Sequence, residues 1–590
     1  MLREHVMKTD LCIVGGGLAG MCAAIRGARE GLKVVLMQER PVLGGNASSE
    51  IRMWICGAGG RDNRETGILE EICLENLYRN PTKNYYLWDT VLYEFAKREK
   101  NLTLLLNCTC MKADVDEGAF AYGRERRIKS VTGYQMTTQQ FFRVEAKMYG
   151  DCSGDSILAP LSGADYMLGR EGKDEFGEDT DRTVPDKKVM GMSCLIQARE
   201  THRDVPFTAP DWSRTLTERE RLLRRPDLQD TLENFWYLEL GGEQDTIADT
   251  ESVRDQLIPL AMGMWDYVKH GYGRDMDRWD LEFLGFLPGK RESRRMAGEY
   301  VLTQQDLSQG RKFEDTAAYG GWKMDDHYPG GFFYDGPPNR LFQAQEPYEI
   351  PYRCLYSKNV DNLFFAGRNI SATHLALSST RVMGTCAILG EAVGAAAFLA
   401  VTKSVSPHGV YLHYLEELGQ LLMNGDCFLP GRRRKVSPVC DHAPKVPECV
   451  RQGMDREHAC YGDHRGARVK NHRELAYEFS EPAYVDTVHL VFDSDLNRET
   501  LEGDQTERTH SMRANVRLDS PMVFLPKTLC REFQVVSDGE VLCHVDNNRK
   551  RCVRIPVKRK VRDVRLRVIS NWGETEETRV LAFDVEEGVE

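Results

Sequence analysis

An apolar, β-branched run from Leu11 to Val14 opens the patterned part of the chain and reads as a buried strand. Helical periodicity runs from Leu18 to about Glu30, and a second strand pattern from Lys33 to Gln38. Residues 62–100 read as helical, with segments at Thr66–Glu75 and Asp89–Lys100. Strand-like runs come next at Leu102–Asn107, Arg127–Gln135 and Phe141–Tyr149, the last ending in Gly150–Asp155. Between 166 and 345 the periodicity is mixed and the residues polar, as expected of an inserted substrate or cap domain. A short buried strand is predicted within Asn362–Arg368, and a long helix from Arg381 to Val401 is dense in Gly, Ala and Thr. Small residues at that density let another backbone, or a flat ring, approach closely. The stretch 403–455 lacks a pattern, and strand-like runs spaced between Leu475 and Asp584, including Ala514–Leu518, predict a β-sandwich.

The predicted architecture is therefore α/β with an all-β sandwich behind it. Its parts are an α/β domain in two pieces, 1–165 and 346–402, an α+β cap at 166–345, a linker at 403–455 and the sandwich at 456–590.

The junction after the first strand carries the chemistry. Gly15, Gly17 and Gly20 stand in G-x-G-x-x-G order between strand and helix, and Glu39 ends the second strand. In a dinucleotide-binding βαβ unit the first glycine permits the turn and the second admits a pyrophosphate. The third lets the helix lie on the sheet, and an acidic residue about 20 positions on holds a ribose. The loop Pro41–Ser49, with Gly44, Gly45 and Asn46, offers backbone N–H groups to phosphate or an isoalloxazine ring, which an enzyme using only NAD does not need. Gly150–Asp155 would present a carboxylate at a strand's C-terminal end, where ligands bind in open α/β sheets.

Composition narrows the partners. A net charge of −12 argues against nucleic acid or an anionic membrane as a bulk partner. The 17 cysteines are scattered, with no C-x-x-C pair, which suits reduced thiols in a cytoplasm better than a disulfide framework or a zinc site. No apolar signal core precedes the first strand, and the apolar stretch near Ala387–Val401 contains Glu391, so no spanning helix is expected.

On these residues the chain resembles the FAD-dependent oxidoreductases of the two-dinucleotide-binding-domain type, with a Rossmann-type FAD domain. Within them it is most similar to a bacterial branch associated with polysaccharide degradation. The resemblance rests on GGGLAG with Glu39, on LGGNASSEIRMWICGAGG (43–60), on DCSGDSILAPLSGADYMLGRE (151–171) and on VDNLFFAGRNISATHLALSSTRVMGTCAILGEAVGAAA. It implies FAD as cofactor. Gly15, Gly17 and Gly20 would serve the pyrophosphate, Glu39 the adenosine ribose and Arg40 the adenine side. Gly44, Gly45, Asn46, Ala47 and Ser48 would line pyrophosphate and flavin. Gly154 and Asp155 would lie beside the cofactor, and Gly367, Arg368, Gly384 and Thr385 would close on the ring. Residues from about 468 on look like the discoidin-like sandwiches used for carbohydrate or surface contact, and such a module also suits packing against a second copy of the chain.

Three functions fit. The first is oxidation of a CH–OH group of a small sugar-like or polyol substrate. The second is fumarate-reductase-like reduction of an enoate or ketone, which the Arg291–Arg295 run and Arg381 would suit. The third is a flavin-bearing, glycan-binding scaffold without turnover. His374 is the expected acid or base, because it is the one imidazole between the Asn362–Arg368 strand and the following helix. Arg381, Arg295 and His327 complete the expected catalytic set, while Cys56 and Cys152, lacking a C-x-x-C, argue against a disulfide reductase.

Overall fold

In the computed structural model the run Leu11–Val14 is the inner end of β1 (Glu4–Val14), on which the first sheet is built. The structure describes residues 2–223, 228, 233–271, 276–442, 445–498 and 512–588. The chain forms two units. One comprises Met1–Ala58, Thr82–Leu418 and Thr509–Met522; the other comprises Gly59–Pro81, Gly419–Arg508 and Val523–Glu590.

The sheet of the first unit is mixed. β2 (Val34–Met37) and β3 (Leu102–Leu105) lie on one side of β1, all parallel. β4 (Cys108–Glu117) and β5 (Arg126–Gln135) form an antiparallel pair, and β6 (Gln140–Asp151) lies parallel to β1 along ten matched pairs from Glu4↔Phe141 to Val14↔Asp151. β6 is the seam. Its first half pairs antiparallel with β5, and its last residues, Tyr149–Asp151, pair parallel with β7 (Leu363–Phe365). β7 arrives from more than 200 residues downstream, so the cap is an insertion between two neighbouring strands. The inner end of β1 (Leu11–Val14), β2 and β7 are buried on both faces, which is why they read as continuous apolar runs.

Two helices pack face to face on this sheet. The first, α1 (Leu18–Arg29), comes directly after the glycine turn. Beyond β7 lie α2 (His374–Thr380) and α3 (Met383–Thr402), separated by Arg381 and Val382, and α3 is the partner of α1. The small residues of α3 account for that pairing. A Cβ on Gly390 would lie 2.0 Å from the Ala19 carbonyl oxygen, and one on Gly394 would lie 2.5 Å from that of Ala23. The close neighbour is thus the backbone of α1. α3 is long and apolar enough to cross a membrane by composition, but nearly all of it is buried in this unit.

Several expectations need correction. His374 starts a helix rather than lying in a loop before one. The stretch expected to lack pattern contains helices Pro407–His413 and Leu415–Asn424; Ser406 caps the first, its hydroxyl accepting from Gly409 N–H. Ala514–Leu518 is not a strand of the C-terminal sheet. It lies in the first unit, where Val516 bridges Arg199 and the Asn515 side chain accepts from Ala198 N–H.

In the second unit Leu475 and Val485 lie on one long strand, Glu474–Phe492, and Cys552 and Val564 on another, Cys552–Asn571. With Ala467–Lys470, Glu577–Glu587, Cys530–Ser537 and Glu540–Val545 they form an antiparallel six-stranded array. Its core includes Tyr477, Phe492, Phe533 and Phe583. Leu74 and Leu77 of the helix Ile68–Arg79 belong to the same core, and Glu70 of that helix is held by Arg498 and Arg64.

The contact between α1 and α3 is testable. Gly390→Ala should destabilise the protein by about 1–3 kcal/mol in urea titration, because the added methyl meets backbone that cannot rotate away. Gly118→Ala, with nothing within 4 Å of the new Cβ, should stay within about 0.5 kcal/mol of wild type.

Candidate functional site

Register sets the site. Val14 is level with Met37 on one side and Asp151 on the other; Met37 is level with Leu105, and Asp151 with Phe365. Five strands therefore end on one line. Beyond four of them lie segments singled out by sequence: Gly15–Gly20, Gln38–Arg40, Cys152–Asp155 and Ala366–Arg368. They border one cavity of about 380 Å³.

The glycine turn is fixed by close backbone contacts. Gly15 has φ +101, and a Cβ there would lie 2.3 Å from the Cys152 carbonyl oxygen; a Cβ on Gly20 would lie 1.8 Å from that of Gly15. Gly20 therefore packs the helix onto the turn and does not border the cavity. Gly17 does border it, and a Cβ there would meet only Gly45 Cα at 3.9 Å. Gly17 caps α1 with no side-chain acceptor, so the first-turn N–H groups beside Leu18 and Ala19 face the cavity unfilled by side chains. Gly44 N–H donates to the Gly16 carbonyl at 2.9 Å, which holds the second glycine loop against the first.

Of the expected cofactor residues, Gly15, Gly17, Glu39, Arg40, Gly44, Gly45, Asn46, Gly154, Asp155, Gly367 and Arg368 line the cavity. Ala47, Ser48, Gly384 and Thr385 stand behind that wall. The Ala47 carbonyl accepts from Trp88 Nε1, the Ser48 hydroxyl donates to Gly45 O, and Gly384 N–H donates to Cys56 O at 2.8 Å. Thr385 is fully buried, and the first turn of α3 reaches the cavity through Val382 and Met383.

Asp155 anchors the middle of the wall. Its carboxylate accepts from Lys290 and Arg368, each at 2.7 Å, and from Ser293. Burial alone would raise its pKa, but Arg368 and Lys290 outweigh burial and hold it at about 2. Arg40 pairs with Glu50 at 3.4 Å, and burial raises the Glu50 pKa against that pairing.

The expected catalytic residues separate into two groups. Arg381 lines the cavity. His374, Arg295 and His327 are set back from it, each within a buried charge cluster. His374 Nδ1 lies 2.8 Å from Glu292 and Nε2 2.9 Å from Asp326, while its backbone N–H donates to Glu171. Donating from both ring nitrogens requires the charged ring. Burial disfavours that form, but the two carboxylates push the pKa up to about 9. Arg295 sits between Glu171 at 3.0 Å and Glu292 at 3.8 Å. His327 repeats the arrangement, with Nδ1 2.6 Å from Glu239 and Nε2 3.1 Å from Asp325. Asp325 and Asp326 lie on one strand, Met324–His327, and as neighbours in a strand they serve different histidines.

Residues not expected also border the cavity. Met37, Cys108, Thr109 and Cys110 lie where β2 and β4 meet, Gln38 accepts from Gly16 N–H at 2.7 Å, and the cap contributes Ser193, Leu195, Ile247, Lys290, Arg291 and Arg294. The Arg291–Arg295 run was visible in sequence, but not which of its members turn inward. Cys56, Cys152 and Cys386 line the cavity too; burial pushes the Cys386 thiol up to about 12, so it stays protonated at neutral pH.

A flavin dinucleotide fits this donor set. The side-chain-free approach at Gly17 and Gly45, the open first turn of α1, and the buried Nε atoms of Arg40 and Arg368 without an acceptor suit a pyrophosphate. The wall continues past them to the cap.

The family model described as FAD dependent oxidoreductase matches residues 10–422. No curated protein matches the chain. Among solved structures, a geranylgeranyl bacteriochlorophyll reductase-like protein from Thermoplasma acidophilum is 12% identical, with 71% of this chain and 84% of that chain covered and a TM-score of 0.31. The E. coli quinol fumarate reductase FrdA is 12% identical, with 71% and 75% covered and a TM-score of 0.27. L-proline dehydrogenase from P. horikoshii is 18% identical, but only 30% of this chain and 26% of that chain are covered, with a TM-score of 0.16. The family assignment rests on the sequence match.

Two measurements test the site. Gly17→Ala should cost the apoprotein about 1 kcal/mol or less, since its Cβ meets no close atom, yet raise the FAD dissociation constant at least about tenfold by fluorescence titration. Unchanged FAD affinity would contradict the cradle. The raised pKa of His374 stabilises the fold fully below about pH 6.5, and that contribution is lost as pH rises through about 9. Denaturant titrations across that window should show a fall in wild type that is flattened in His374→Gln; parallel curves would contradict it.

Proposed function

The chain belongs to the FAD-dependent oxidoreductase family, and we propose that its reaction is oxidation of a CH–OH group on a small, sugar-like or polyol substrate. When bound, FAD supplies the two-electron acceptor for the hydride. The observation that carries the proposal is the polar wall the cap contributes to the cavity. Ser193, Lys290, Arg291 and Arg294 line the cavity together with Asn46 and Arg381 of the nucleotide-binding domain, a polar set suited to hydroxyl groups.

In this reading the chain's own residues bind and polarise. Arg291, Arg294 and Arg381 stabilise negative charge developing on the substrate oxygen as its proton passes to bulk water. His374 is not given the base role expected from its position in sequence. Both its nitrogens are engaged by Glu292 and Asp326, and the ring does not border the cavity. It braces the cap against α2 instead. The cationic wall also favours a second reading, reduction of an enoate or ketone, in which a guanidinium holds the substrate's carboxylate or carbonyl oxygen. For the second unit we propose carbohydrate contact of a discoidin-like kind, supported by its antiparallel strands and tested by retention on insoluble polysaccharides.

Anaerobic mixing of FAD-loaded protein with panels of sugars, polyols, hydroxy acids and amines separates the readings. Bleaching of the flavin absorption by a polyol, a sugar or a hydroxy acid is the expected result. Reaction only of chemically reduced protein, and only with enoates or ketones, would replace the first reading by the second.

A further inference from the structure

Two arginines on the cavity wall share one buried support. Arg291 Nη1 lies 3.4 Å from Glu239 Oε2, and Arg381 Nη2 lies 3.2 Å from Asp325 Oδ2 and 3.1 Å from the Asp325 carbonyl oxygen. His327 bridges the two carboxylates, 2.6 Å from Glu239 and 3.1 Å from Asp325. Arg291 also donates to the Ser193 hydroxyl and the Trp236 carbonyl, each at 2.9 Å. The chain Arg291–Glu239–His327–Asp325–Arg381 thus ties a cap residue to the residue between α2 and α3, and both its ends border the cavity.

The charges do not cancel. An imidazole that satisfies a carboxylate on each side donates from both nitrogens and is cationic. Three cations then face two carboxylates, a surplus of one positive charge at the wall. Arg294 adds to it, since among the described residues it has no ion pair and its guanidinium lies over the Tyr166 ring at 5.7 Å. Burial pushes the Arg291 pKa down, with Glu239 and Asp325 opposing and the neighbouring Arg381 charge adding to it. Arg381 Nε is buried without an acceptor. A desolvated surplus of this kind is offset by an anion with planar, two-oxygen geometry, which a guanidinium fork matches better than a point charge does.

We propose that Arg291 and Arg381 form a carboxylate-binding subsite, so that the substrate of this cavity is a small organic acid, such as a sugar acid or hydroxy acid, rather than a neutral sugar. Glu239, His327 and Asp325 are positioning residues that hold the two guanidinium groups toward it. The inference rests on the hydride-transfer reading of the same cavity and selects among its substrates.

The test is binding, read apart from turnover. FAD-loaded protein is titrated with acetate, malonate, D-gluconate and D-glucuronate, with D-glucose and acetamide as neutral counterparts and inorganic phosphate as the competing anion. Binding is read by perturbation of the flavin spectrum and by calorimetry. At least one carboxylate should bind about tenfold or more tightly than its neutral counterpart. Arg381→Met and, independently, Arg291→Met should each raise that dissociation constant about tenfold or more while retaining one FAD per chain. Equal affinity for acid and neutral counterpart, no carboxylate binding at all, or unchanged affinity in both variants would overturn the proposal. Tighter binding of phosphate than of every carboxylate would reassign the subsite to a phosphate ester. Loss of FAD from both variants would reassign the arginines to the cofactor. Carboxylate binding without bleaching would leave the subsite standing and remove only the oxidation reading.

Discussion

Backbone touching backbone is the constraint on which this site depends. Gly15 lies against the Cys152 carbonyl, Gly20 against the Gly15 carbonyl, and Gly390 and Gly394 against the carbonyls of Ala19 and Ala23. Each is a position where one methyl group has no room. Together they hold the N-terminus of α1 over the line where β2, β1, β6 and β7 end, and α3 behind it. The donors that face the cavity are fixed by this packing before any ligand arrives, which is what a site for a charged cofactor requires.

Electrostatics organises the other side of the cavity. The cap is joined to the nucleotide-binding domain by the bridge Glu292–His374–Asp326, and a second bridge inside the cap, Glu239–His327–Asp325, reaches that domain through the Arg381 contact with Asp325. Buried ion pairs of this kind are weak evidence for net stability, because desolvation offsets much of the attraction. Their effect is geometric. Removing one partner leaves a buried charge uncompensated, so the pairing of cap strand with α2 is strongly specified, and the cavity-facing arginines inherit that rigidity.

How much of this was legible depends on the range of each interaction. The βαβ unit was, because its turn, helix and acidic residue fall within 30 residues and each has a local requirement. The small-residue face of α3 was legible as a site of close approach, though not its partner. The helices at 407–424 carried a readable signal in Ser406 and Pro407 at the start of the first. Other features had no local signature. Glu70 and Glu75 bind the helix Ile68–Arg79 to the rest of the second unit through Arg498 and Arg549, more than 400 residues away. Ala514–Leu518 alternates like a strand, but it is held in the first unit by backbone bonds at Val516, by the Asn515 side chain and by Leu518 N–H donating to Glu200. His374 is set back from the cavity for a related reason: proximity to the nucleotide-binding segment in sequence says nothing of Glu292 and Asp326, which enclose the ring from the cap.

All of the proposed chemistry depends on the aligned strand ends being an FAD site. The most direct measurement is the stoichiometry of flavin bound by purified protein after incubation with excess FAD and gel filtration, with NAD as the comparison. One FAD per chain, with no retention of NAD, is the predicted result. A colourless protein that fails to take up FAD, or one that retains NAD in its place, would contradict it.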